Sequence, residues 1–219
     1  MSLVRYRSKR DFSRTNEPRG KAKSTAKPDA QKVLFIVQKH AATRLHFDFR
    51  LEVDGVLKSW AVPKGFPFAH ADKRLAMQVE DHPREYAKFE GIIPPGNYGA
   101  GTVMLWDAGI CEFLDDPPQT ALSKGKLHLG LNGQKLKGIW RLVRMKPGED
   151  RDENAWLIIK SGESVKPISA RQEDKSVVSG RTMKQIASMA DATWESDKKT
   201  SKGRLGRNRE RTLADQKRR

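Results

Sequence analysis

Between residues 33 and 160 the apolar side chains recur at every second position, in short runs broken by Gly, Pro and Asn. A period of two is the repeat of a pleated strand, whose successive side chains point to opposite faces; a helix would repeat near 3.6. Strands are therefore expected at 33–37, 45–53, 77–79, 102–106, 126–131, 138–145 and 156–159. Asn132-Gly133, between two such runs, reads as a hairpin turn, because Gly supplies a positive φ without steric cost. The stretch 96–101 reads as a loop, and 183–190 as a short helix with an apolar stripe. Many short strands with one or two short helices imply a mainly β fold, a sandwich or a barrel. Periodicity does not separate the two; a compact β-barrel with a basic, flexible C-terminal tail is the form expected.

Composition divides the 219 residues. Residues 1–32 form an N-terminal arm and linker, with almost nothing to bury from 17 to 31. The patterned domain spans 33–160, an extension 161–197, and a tail expected to be disordered 198–219. The net charge of +16 and pI near 10.1 point to a polyanionic partner. That charge sits at the flanks: 33–160 is nearly balanced, while 198–219 alone holds 10 basic and 2 acidic residues. Flexible basic arms attract phosphate backbones without reading sequence. No apolar run approaches the ~18 residues of a membrane span, and the first residues lack the apolar core of a secretory signal. The single cysteine, Cys111, excludes an internal disulfide and a Cys-based zinc cluster. A cytoplasmic, nucleoid-associated monomer without a membrane partner is expected.

The chemistry concentrates in Gln38-Lys39-His40-Ala41-Ala42-Thr43-Arg44-Leu45-His46-Phe47-Asp48-Phe49-Arg50-Leu51. In a strand, Leu45, Phe47, Phe49 and Leu51 share one face and would pack in a core. His46, Asp48 and Arg50 share the other. A short Ala-Ala-Thr turn would fold His40 back over that polar face. Two imidazoles and one carboxylate make a three-ligand metal site with open positions, suited to Mn²⁺, Co²⁺ or Zn²⁺ better than to Mg²⁺. Arg50 beside them suits a phosphate, because its fork of donors matches two phosphate oxygens. A second alternating run places Gln78, Glu80 and His82 on one face, with His82 a phosphate ligand or a general acid. Lys64 and Arg74 add cations in loops.

These residues, with Phe35 to Gly55, Leu57 to Gly65, Glu80-Asp81-His82-Pro83, Gly99-Ala100-Gly101-Thr102-Val103 and Trp140-Arg141-Leu142-Val143-Arg144-Met145, resemble the 3′-phosphoesterase domain of bacterial DNA ligase D. The resemblance covers about residues 9–160. It implies a compact β-barrel that binds manganese through His40, His46 and Asp48, and holds the scissile phosphate with Arg50 and His82. It also implies active-site positions for Tyr86, Gln38, Glu80, Lys64 and Arg74. Arg10-Asp11-Phe12 and Glu17 resemble an arm, about residues 5–20, that folds back onto the site and serves removal of a terminal 3′-ribonucleoside before phosphate removal. The substrates implied are DNA 3′ ends in a primer–template or nicked duplex.

A ligase needs an adenylated Lys-x-Asp-Gly motif. The one Asp-Gly here is Asp54-Gly55, preceded by Glu52 where the lysine would stand. The chain thus reads as a freestanding or excised phosphoesterase, with sealing left to a separate DNA ligase and with a polymerase or end-binding protein as further candidate partners. The alternative is a non-catalytic nucleic-acid-binding or tethering module of a repair complex, which the basic tail and polar β-faces would also suit.

Overall fold

Eight of the alternating runs pair edge to edge, and the last returns to the first. The computed structural model describes residues 3–20, 31–146, 148 and 152–188. The linker at 21–30, residues 189–190 of the expected helix, and the tail at 198–219 lie outside the described residues. In chain order the elements are α1 (Val4–Ser8), β1 (Lys32–Ala41), β2 (Leu45–Val53), β3 (Val56–Val62), β4 (Lys73–Gln78), β5 (His82–Pro83) and a 3-10 turn at Arg84–Lys88. There follow β6 (Gly91–Ile93), β7 (Gly101–Phe113), α2 (Pro118–Lys124), β8 (Lys126–Gly133), β9 (Lys137–Arg144), β10 (Ala155–Ser161), α3 (Ala170–Glu173) and α4 (Met183–Ser188). The strands neighbour one another in the order β1-β2-β3-β4-β10-β9-β8-β7, and β7 pairs antiparallel with β1, which closes an eight-stranded barrel. β6 adds to β7 and β5 to β3 outside the ring. Closure removes the open edges that an exposed sheet would carry.

Alternation then separates two apolar clusters. Phe35, Val37, Phe49, Leu51, Trp60, Val62, Trp106, Trp140 and Trp156 point into the barrel. Ile36, Leu57, Val103 and Leu105, on the opposite faces of the same strands, point outward. They are not left to water: Tyr6 of α1, Tyr86 and Ala87 of the 3-10 turn, Phe89 and Ile93 cover them. The N-terminal arm and the excursion between β4 and β7 thus roof one outer wall. Val165, Ile168, Met183 and Ile186 from the C-terminal segment join the inner cluster. Lys39 Nζ and Trp106 Nε1 tie that segment down by donating to the Glu173 carbonyl, and Lys135 Nζ by donating to that of Lys175.

Several sequence expectations shift. The first strand runs through His40 to Ala41 rather than ending at Val37, and β3, whose apolar residues are interrupted by Lys58-Ser59 without clean alternation, was not among the expected strands. Leu45 is 52% exposed because it stands at the barrel rim, beyond the core that buries Phe49 and Leu51. The run containing Gln78, Glu80 and His82 is not one strand: β4 stops at Gln78, whose Oε1 accepts from Trp156 Nε1, and β5 starts at His82. Asn132-Gly133 is not the β8–β9 turn. Both residues belong to β8, and the chain reverses at 134–136, where Asp107 accepts the Gln134, Lys135 and Leu136 amides. Gly133 is needed for close approach, since a Cβ there would strike Asp107 Oδ2 and Phe35. The positive-φ turn is Asp54-Gly55 (φ 52° and 75°), between β2 and β3, as in a two-residue I′ hairpin.

Candidate metal and phosphate site

The outer wall carries the polar residues. β1 and β2 pair so that His40 faces His46, Gln38 faces Asp48 and Ile36 faces Arg50. β2 pairs with β3 so that Arg50 faces Ser59, and β5 lays His82 opposite Leu57. Potential ligand atoms of His40, His46 and Asp48 all lie within 4.8 Å of one another. Asp48 Oδ2 is 3.5 Å from His40 Nδ1, 3.7 Å from His46 Nε2 and 3.3 Å from Arg50 Nη2.

The far nitrogen of each imidazole is held by the backbone. His40 Nε2 is 2.9 Å from the Gly99 carbonyl, and His46 Nδ1 is 2.9 Å from that of Arg44. A carbonyl only accepts, so those nitrogens carry a proton, and His40 Nδ1 and His46 Nε2 are the ring nitrogens that face Asp48. This is the outer-shell arrangement that orients imidazoles in metal sites. Burial opposes ionisation of Asp48, yet the Arg50 guanidinium, followed by His40 and His46, outweighs it and holds the carboxyl well below the usual range. Once their near nitrogens are free of a proton, the two imidazoles and the carboxylate offer three converging lone pairs, a donor set that fits a divalent transition metal.

Arg50 is locked in place. Its Nε donates to Gln38 Oε1 (2.9 Å) and its Nη1 to Ser59 Oγ (2.8 Å). Gln38 Nε2 in turn donates to the Phe89 carbonyl (2.8 Å). His82 lies between two guanidiniums: Nδ1 is 2.9 Å from Arg50 Nη1 and from the Glu80 carbonyl, and Nε2 is 3.2 Å from Arg10 Nη2. Burial, then Arg50 and Arg10, hold its pKa well below the ordinary imidazole value. His82 is therefore neutral in this arrangement, with Nδ1–H donating to Glu80 and Nε2 accepting from Arg10. Tyr86 packs edge-on against His82 at 4.8 Å between ring centroids, and burial, followed by Glu17, keeps its phenol protonated.

The arm reaches this cluster. Arg10 bonds Glu17 (2.8 Å) and Glu80 (3.2 Å) and lies 3.9 Å over the Tyr6 ring. Asp11, by contrast, stays at the surface and accepts from Ser13. Lys64 and Arg74 also stand apart: they line a groove with Pro63, Lys73 and Leu75, and neither bonds the three-ligand cluster. Sequence reasoning passed over Ser59, Tyr6 and Lys9. Tyr6 packs on the His82 ring at 5.1 Å, and Lys9 Nζ bonds Glu80 Oε2 at 3.0 Å.

The fold and site define a small closed β-barrel whose outer wall, with the arm docked on it, gathers two imidazoles, one carboxylate and two guanidiniums. Residues 38–144 match the family model described as the DNA ligase D 3′-phosphoesterase domain. The "Multifunctional non-homologous end joining protein LigD" of Pseudomonas aeruginosa is 50% identical over 159 residues, which cover 73% of this chain and 18% of that protein. The LigD repair protein of Mycobacterium tuberculosis is 47% identical over 146 residues, and the LigD of Mycolicibacterium smegmatis 44% over 153. The chain belongs to the DNA ligase D 3′-phosphoesterase domain family. It matches under a fifth of the length of each of these relatives. Among the described residues no helix is long and apolar enough to cross a membrane.

Proposed function

We propose that the chain is a metal-dependent hydrolase of DNA 3′ ends, releasing a 3′-phosphate and, with the arm engaged, a terminal 3′-ribonucleoside, in the course of break repair. The observation that carries this reading is the convergence of the His40, His46 and Asp48 lone pairs beside the buried Arg50 guanidinium. His40 Nδ1, His46 Nε2 and Asp48 would hold the ion, Mn²⁺ by family resemblance. Once bound there, the ion supplies Lewis-acid polarisation of the phosphoryl group and acidification of water.

The protein's own groups supply the rest. Arg50 offers hydrogen-bond donors already aimed and desolvated, so stabilising phosphoryl charge costs little reorganisation. Gln38 and Ser59 fix the guanidinium plane. Neutral His82 accepts from Arg10, and so steers a second guanidinium toward the same anion. Uptake of a proton from solvent, favoured by the charge of a bound phosphate, would make His82 a donor to the leaving oxygen, though burial and two adjacent guanidiniums oppose that state.

Release of inorganic phosphate from a 3′-phosphorylated primer–template, with and without Mn²⁺, tests the reading. Phosphate release that depends on Mn²⁺ and disappears in Asp48→Ala is expected. Release unaffected by chelation, or retained in Asp48→Ala, would remove the proposed site.

A further inference from the structure

Among the described residues Tyr98 is the one exposed aromatic side chain, with 48% of its surface open to water; the other aromatic rings are buried or half-buried. Its loop is not loose. Asn97 Nδ2 donates to the carbonyls of Arg14 and Pro94, and Ala100 N donates to that of Asn97. The next carbonyl, Gly99, takes the His40 Nε2 proton, and Gly101 must lack a Cβ because one would strike the Ala41 carbonyl. Tyr98 is therefore presented on a fixed support, one residue from the group that orients a metal ligand.

The ring also touches the arm. Lys9 Nζ lies 4.5 Å from its centroid and donates to its hydroxyl at 3.2 Å. Lys9 bonds Glu80, Glu80 bonds Arg10, and Arg10 reaches His82. Tyr98 thus closes a chain of contacts around the rim, between the residues that would hold the metal and those that would hold the phosphate. Arg10 also lies 5.6 Å over the ring, so cations and open solvent share its surroundings. A ring still 48% open to water, on rigid backbone beside clustered guanidiniums, has the chemistry of a base-stacking platform, and every nucleobase has a π-face to offer it.

We propose that Tyr98 stacks on the terminal nucleobase of the 3′ end being processed, the base whose sugar carries the scissile phosphate. This rests on the reading of the site as a DNA 3′-end phosphoesterase. Tyr98 would set a preference for ends that retain a base over abasic ends, without choosing among the four bases.

The test uses the full chain with Mn²⁺ and two 3′-phosphorylated duplexes, one ending in 2-aminopurine and one in an abasic sugar. Binding of the first should quench the 2-aminopurine fluorescence. Tyr98→Ala should abolish the quenching and weaken binding of the base-bearing end about 5- to 150-fold, toward the affinity of the abasic end. Tyr98→Phe should keep both properties. Ile110→Ala, at an exposed apolar position on β7 away from the Tyr98 loop, should match the unaltered chain. If Tyr98→Ala lowers affinity for both ends equally, the ring serves only to seat Lys9 and the proposal falls. It falls also if the unaltered chain shows no quenching. Quenching and affinity require no turnover, so absence of phosphate release with quenching intact would sink the catalytic reading alone. Release without any preference for a base would sink the platform alone.

Discussion

Arg10→Ala should undock the arm while leaving the barrel folded. The Arg10 side chain is 4% exposed and its partner Glu17 0%. Without Arg10, Glu17 keeps, among the described residues, the Thr15 hydroxyl at 3.1 Å, whereas Glu80 still has Lys9 at 3.0 Å. Removing one member of a buried ion pair costs ~3–5 kcal/mol, because the remaining charge is stranded in a low dielectric. The main apolar anchor of the arm is Tyr6, fully buried. Burying such a side chain contributes about 1.5–3 kcal/mol, which the stranded carboxylate matches or exceeds. Hydrogen exchange read by mass spectrometry should therefore speed up on the order of 10²–10⁴-fold in residues 3–20, with 32–62 nearly unchanged. Arg10→Ala/Glu17→Ala should restore part of the protection, since the stranded charge is gone. Arm exchange within about threefold of the unaltered chain would refute the reasoning. So would a double variant no better protected than Arg10→Ala.

Asp48→Ala should weaken Mn²⁺ binding by more than about 100-fold in a calorimetric titration, because losing an outer-shell partner alone costs 10–100-fold. Asp107→Ala removes three amide hydrogen bonds to a buried carboxylate and should lower unfolding stability by roughly 3–5 kcal/mol in urea, with Asp107→Asn intermediate. His82 titrates below its unfolded value near 6.5. The unfolded chain thus binds the extra proton first, and stability of the metal-free protein is complete above about pH 6.5 and falls as pH drops through it, by up to ~1.4 kcal/mol per unit. His82→Asn should flatten that slope in denaturation curves taken from pH 7.5 to 5.5.

The β character of the fold and the His46, Asp48, Arg50 face were legible because both follow from period-two alternation, a local property; closure into a barrel and the place of His40 on β1 depend on long-range pairing, which alternation does not report. The placement of His82 and Glu80 was not legible either. Residues 79–81 break the strand, so continuing the alternation through them gave the wrong face for Gln78. Ser59 needed the β2–β3 register, which rests on the two-residue Asp54-Gly55 turn. Gly133 looked like a turn residue, yet it is required by packing against Asp107, a contact from a distant strand. Tyr6 and Lys9 sit in a short arm whose docking depends on a pocket that forms only once the barrel exists.

The β1–β2 hairpin turns the site into a matter of parity. Its connection spans 42–44, an odd number of residues, so partners sum to an even number and every outward residue on both strands is even: 36, 38, 40 and 46, 48, 50. Next to it, the even-length connection at 54–55 swaps the parity, which is why Arg50 meets Ser59. One residue added within 42–44 would force a choice. Either β2 keeps its faces and β1 turns over, which carries His40 away from His46 and Asp48 and takes Phe35 and Val37 out of the core, or β1 keeps its faces and β2 turns over, which sends Phe49 and Leu51 to water and His46 and Asp48 inward. Indels at this hairpin should therefore be accepted in twos, or as a bulge that absorbs the odd residue, however freely its three exposed or half-exposed positions exchange side chains.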